Sequence, residues 1–225
     1  MSNVQMTRGR RAIQLGVKVG AALCVIGLAG CGSSHESQPA GAESTAAVSS
    51  KPDITHMSET LVVGRDSFPD VPGGDWRAPY MYEHPESDES AECGPMLNQY
   101  VRGEDSMALA SLKKDGNKPS FRIDLTLPSE PLPNWHALSE KCRSIGQFEL
   151  TPRSLDGLPA WAVASDINLD DGQGDKPGLS IAGDYRGLVI YLQAQRQPTG
   201  LTDADLAACV KLFNDQVAKL EAAPA

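Results

Sequence analysis

Ser120–Pro128 reads SFRIDLTLP, and its alternation sets the fold class. Phe121, Ile123, Leu125 and Leu127 alternate with Arg122, Asp124 and Thr126, the period-2 pattern of a strand with one face on a core. Upstream, SMALASL (106–112) is separated from it by the turn-rich KKDGNKP, so the two are expected to pair as an antiparallel hairpin. Downstream come FELTPRSL, then AWAVASDIN after the turn DGLP, then LSIAG and GLVIYLQAQ. Short strands joined by Gly, Pro and Asp turns predict a mainly antiparallel sheet of about six strands.

Helical periodicity frames these strands. In NWHALSEKCRSI, Asn134 caps the start, and Trp135, Leu138, Cys142 and Ile145 share one face. In LTDADLAACVKLFNDQVAKLEAA, Thr202 is the N-cap, and Leu206, Cys209, Val210, Phe213, Val217 and Leu220 form the apolar stripe of a long C-terminal helix. A third, shorter helix is expected around CGPMLNQYV, with Pro95 at its first position and Gly103 after its end. Two to three helices on an antiparallel sheet make an α+β domain, expected over residues 56–225.

The chain begins differently. Arg8, Arg10, Arg11 and Lys18 precede an uncharged apolar run from Val19 to Gly30, and residues 1–30 contain no acid. That order is the order of an export signal, and the run is short of the roughly 20 residues a membrane-spanning helix needs. It ends in Leu28-Ala-Gly-Cys31, which resembles the bacterial lipobox, and the resemblance implies diacylglyceryl modification at Cys31. Two acyl chains suffice for stable anchoring where one does not. Residues 31–55, rich in Ser, Ala, Gly and Thr, then form the lipidated cysteine and a flexible tether. The expected location is the extracytoplasmic face of the cell membrane.

Without residues 1–30, 16 basic residues face 29 acidic ones, a net charge of −13. Such a chain is not expected to bind nucleic acid. The densest acidic stretch, EHPESDESAE (83–92), reads as a solvated loop. Of the cysteines in the domain, Cys93, Cys142 and Cys209, only two can pair, outside the cytosol where disulfides persist. Cys93–Cys142 is expected, because Cys93 lies just outside a helix and has the backbone freedom to meet a partner; Cys142–Cys209 is the alternative.

The chemistry-bearing motifs are weak. GLSIA (178–182) lacks the last glycine of the G-x-S-x-G elbow and continues as a strand, so Ser180 is not expected to be a nucleophile. His136 and Glu140 lie at i, i+4, but no second ligand pair accompanies them. DINLDDGQGD (166–175) fails the calcium-loop pattern at positions 6 and 12, where Asp171 and Pro177 stand, and reads as an acidic hairpin turn. No catalytic residue, metal or cofactor is assigned from the sequence.

ECGPML, GLPAWAV, YRGLVIYLQA and CVKLFNDQVAKLEAA together make the chain similar to small mycobacterial lipoproteins of an uncharacterised lipoprotein-domain family. More distantly it resembles the extracellular sensor domains of mycobacterial receptor serine/threonine kinases. The resemblance covers about Leu61 to Ala223 and implies an α+β extracytoplasmic domain with no catalytic residues to carry over. The expected function is a lipid-anchored, monomeric, non-catalytic binding or sensing module for a small-molecule, lipid or protein ligand. The alternative is a carrier of an apolar envelope lipid.

Overall fold

The computed structural model describes residues 49–83, 92–98, 106–113, 117–128, 131–169 and 177–224. All of them lie in one unit, Ala42–Ala225. Eight strands are present among them: β1 (Asp75–Glu83), β2 (Ser106–Lys113), β3 (Ser120–Leu127), β4 (Ser144–Ile145), β5 (Phe148–Arg153), β6 (Val163–Leu169), β7 (Gly178–Tyr185) and β8 (Leu188–Gln195). The helices α1 (Trp135–Lys141) and α2 (Asp203–Ala222) complete the α+β domain.

The strands form one sheet in the order β1-β2-β3-β8-β7-β6-β5-β4, antiparallel at every step. The chain meanders through β1–β3, crosses by α1 to the far edge, and meanders back until β8 closes against β3. The expectation of about six strands is therefore corrected to eight. The six expected strands are present. β1 escapes the pattern because Pro79 and an irregular register between Arg77 and Tyr80 break its alternation. β4 is too short to show a period. It forms because the chain leaves the α1 helix at Cys142 and doubles back at Gly146, whose φ of +60° favours glycine. The helix expected to run through Ile145 thus stops at Lys141. The third expected helix is a 3₁₀ turn, Gly94–Leu97, ended by Asn98 in the left-handed region at φ 55°; Gly103 lies outside the described residues.

One face of the sheet carries the main core. Phe121, Ile123 and Leu125 of β3, Leu188, Ile190 and Leu192 of β8, and Leu179 and Ile181 of β7 pack with Cys209, Leu212, Phe213 and Leu220 of α2. β8 is buried on both faces from Leu188 to Leu192, as a central strand should be. Thr202 caps α2 in a capping box with Asp205. Arg196, just past β8, grips the Asp205 carboxylate with two hydrogen bonds of 2.8 Å. Gln216, fully buried in the expected apolar stripe, accepts from the Val63 N–H and donates to the Leu61 carbonyl, fastening the segment before β1 to the helix.

The opposite face carries a smaller cluster of Met96, Trp135, Cys142, Leu150, Val163, Ile167, Ala182, Val189 and Tyr191. A Cys93–Cys142 disulfide ties the 3₁₀ turn to the end of α1 over this cluster. Cys209 is a free, buried thiol in the core under α2. Cys142 and Cys209 thus belong to clusters on opposite faces, which is why the alternative pairing does not form. Burial, followed by the charge of Asp205, pushes the Cys209 thiol up to about 12.

Of the segment expected as tether, residues from Ser49 onward are described, and they are docked. Ile54 is buried and donates its N–H to the Arg186 carbonyl. Arg186 occupies the two-residue β7–β8 turn with Gly187, both at positive φ. Its buried guanidinium donates to the carbonyls of Pro52, Leu220 and Ala223, strapping the incoming chain to the end of α2. Lys51 Nζ donates to the Glu221 carbonyl, and Ser49 to its carboxylate.

Candidate functional site

The second face of the sheet is polar across its centre. One rung of the ladder aligns Arg77 of β1, Ser111 of β2, Arg122 of β3, Gln193 of β8, Ser180 of β7 and Ser165 of β6. The next rung toward the β7–β8 turn carries Asp124 beside Tyr191. Period-2 geometry sends all these side chains to the face opposite the α2 core. Sequence reading places the Arg122, Asp124 and Thr126 side of β3 in solvent. The structure buries both Asp124 and Thr126, and Thr126 donates to Asn98 Oδ1 of the disulfide-tied turn at 3.5 Å.

Among the described residues the cover stops short of the strand ends. Beyond it, Ser111, Lys113, Lys118, Ser120, Arg122, Gln193, Gln195, Gln197 and Pro198, with Phe121, line a groove of ≈ 600 Å³. Three cations, three primary amides and two hydroxyls line it, and no carboxylate does among the described residues. Arg122 is held by an Nε–Oδ1 hydrogen bond of 2.8 Å to Asp124; Arg122 is 41 % exposed and Asp124 1 %. A buried carboxylate thus orients a partly exposed guanidinium toward the groove. Its terminal nitrogens have no partner among the described residues.

Behind Arg122, Tyr191 is fully buried. Burial first, then the Asp124 charge, raises its hydroxyl well above the ordinary phenol value, against the opposing effects of Arg122 and a hydrogen bond with Ser180. The hydroxyl therefore stays protonated and serves as a hydrogen-bonding group. Ser180 lies on β7, and Ser165, next to it on β6, has a buried hydroxyl with no partner among the described residues.

The other sequence candidates do not converge on this groove. His136 is exposed on α1 and hydrogen-bonds the Ala160 carbonyl at 2.8 Å, and Glu140 is also exposed. Asp166 pairs with Arg153 at 2.7 Å. β6 and β7 pair as the hairpin reading requires, while residues 170–176 of that connection lie outside the described residues, as do Cys31, His84 and most of the acidic 83–92 stretch. No group of three or more metal-ligating side chains occurs among the described residues. No helix among them is long and apolar enough to cross a membrane.

The polar rung escapes sequence reading because its members are scattered over six strands and each looks like an ordinary solvent-facing residue. The available signal is weak: QAQRQ (193–197) places Gln193, Gln195 and Gln197 at a spacing of two at the end of the most apolar strand.

Comparison with protein-family models finds no match, and comparison with curated proteins finds none either. Among solved structures, the chain is similar to an uncharacterised protein from Mycobacterium smegmatis, the Rv0999 ortholog, at 15 % identity and a TM-score of 0.43, over 68 % of this chain and 92 % of that one.

Proposed function

We propose that this chain is a lipid-anchored, extracytoplasmic binding module that is not an enzyme, and that its ligand sits in the cationic groove at the free end of β2, β3 and β8. The observation that carries this reading is a built polar site, with a buried Asp124 orienting Arg122, in a groove that gathers Lys113, Lys118 and Arg122 and has no carboxylate among its described lining residues, on a chain of net charge −9. The anchor rests on the Cys31 motif and its leader, and the resemblance read from ECGPML, GLPAWAV and YRGLVIYLQA to mycobacterial lipoproteins points the same way. The binding reading is favoured over the apolar-lipid carrier by the filled interior: Leu212, Phe213 and Leu220 of α2 are fully buried against Leu188, Ile190 and Leu192. A carrier needs an apolar cavity of several hundred Å³; beneath α2 these side chains fill that space, and the hollow of ≈ 340 Å³ lined by Pro95, Pro128, Pro131, Pro133 and Leu138 is open to the surface.

Two measurements test the proposal. Cys31→Ala should shift the chain from the detergent phase to the aqueous or precursor pool, and unchanged partitioning would end the anchor reading. A native mass spectrum of the chain purified from its own envelope fraction should show a bound non-lipid species; a bound acyl lipid beyond the anchor would favour the carrier.

A further inference from the structure

We propose that the groove selects a soluble, anionic, polyhydroxylated small molecule, in chemical class a sugar acid or sugar phosphate. Arg122, Lys113 and Lys118 take the oxyanion, and Gln193, Gln195 and Gln197 take the hydroxyls. The inference rests on the binding-module reading and adds the ligand class.

Three observations carry it. The first is charge: the groove gathers three cations, and Lys113 and Lys118 have no ion-pair partner among the described residues, in a chain where acids outnumber bases 29 to 20. With its Nε already held by Asp124, Arg122 presents its remaining fork, the geometry that matches a carboxylate or phosphate. The second is the amide set. A primary amide both donates and accepts, as a sugar hydroxyl does, and three amides line a groove whose ≈ 600 Å³ is the size of a small-molecule site.

The third is placement, which separates a soluble ligand from a lipid headgroup. The chain arriving from the anchor side is strapped at the β7–β8 turn, where Arg186 holds Pro52. The groove lies at the other end of β8, around Gln195. Seven residue steps at ~3.4 Å put the two about 24 Å apart. The site therefore lies at the end of the sheet opposite the one at which residues 49–54 are strapped, a placement suited to catching a molecule in solution.

The test is isothermal titration of the full chain in neutral detergent with glucose 6-phosphate, glucuronate, glucose and phosphatidylglycerol in mixed micelles of that detergent. Both charged sugars should bind at roughly millimolar or tighter, more weakly as salt rises, with glucose at least about tenfold weaker. Arg122→Gln strands the buried Asp124, so the exposed double variant Lys113→Gln/Lys118→Gln carries the decision. It should lose about tenfold in affinity, while Arg153→Gln, outside the groove, should not. Binding unchanged in the double variant, or phosphatidylglycerol binding that the double variant weakens with no response to either charged sugar, overturns the inference. Equal binding of glucose removes the anion assignment and leaves the binding module standing. If no free sugar binds but the envelope-purified chain carries another non-lipid species, the ligand class falls and the module stands; if it carries none, both fall.

Discussion

The two faces of the sheet are made by the same strands and have opposite tasks. On the α2 side, Phe121 and Ile123 of β3, Leu179 and Ile181 of β7, and Ile190 and Leu192 of β8 meet Cys209, Leu212 and Phe213 in an apolar cluster; even Gln216 is matched there to two backbone groups. On the other side, Arg122, Asp124, Ser180, Ser165 and Tyr191 sit among apolar residues, held by a few directional hydrogen bonds, and one hydroxyl has no partner among the described residues. Burial of apolar area is non-directional and tolerant, whereas a polar face under partial cover is stable only where each group meets its partner. Most of the apolar burial and the proposed binding therefore reside apart: the α2 face carries the larger core, and the opposite face, with its smaller cluster and its disulfide, can accommodate polar groups.

The largest expected effect is on the α2 face. Phe213 is fully buried, with its ring 5.8 Å from that of Trp161, so Phe213→Ala should cost about 3–5 kcal/mol in a denaturant melt. A loss below ~1 kcal/mol would show that this face is not the main core and remove the contrast with its opposite. On the other face, Cys93→Ser/Cys142→Ser opens a disulfide with a sequence separation of 49, worth up to about 4 kcal/mol on the chain-entropy account. If that variant melted like the parent, the cover over the polar face would owe nothing to the crosslink.

A smaller effect is expected where β8 meets α2. Burial acts to raise the Asp205 carboxyl, but Arg196 and the Thr202 cap outweigh it and hold the group below its ordinary 3.8. A depressed carboxyl contributes stability above its unfolded value, and that contribution is lost as pH falls through the folded value. Arg196→Gln should therefore cost about 1.5–3 kcal/mol at pH 7 and progressively less as the pH falls below 3.8. An equal cost at pH 7 and in strong acid would contradict the pairing. Least is expected at Ser165, where removing an unpartnered buried hydroxyl by Ser165→Ala should change stability by less than about 1 kcal/mol, in the stabilising direction. A clear destabilisation would show that the hydroxyl is bonded after all.

The apolar face was legible in the sequence because apolar side chains announce themselves by period: SFRIDLTLP gives β3, and the stripe through Cys209, Phe213 and Leu220 gives α2. The Cys93–Cys142 pairing was also legible, from the position of Cys93 just outside an expected helix. The polar face was not. Asp124 and Thr126 follow the alternation of solvent-facing residues, and both are buried by tertiary structure that the alternation does not encode, Asn98 of the 3₁₀ turn meeting Thr126. β1 was hidden by Pro79 and its irregular register, and Gln216 by the rule that a polar residue breaks an apolar stripe, which fails when backbone groups of a neighbouring segment are there to meet it.

The division between the faces can be tested residue by residue through amide chemical-shift mapping of the full chain in neutral detergent, titrated with glucose 6-phosphate. Saturable shifts are expected at Lys113, Lys118, Ser120, Arg122, Gln193 and Gln195, with the amides of α2 from Cys209 to Leu220 unmoved. Shifts concentrated on α2, or spread evenly over both faces, would contradict the assignment of binding to the polar face.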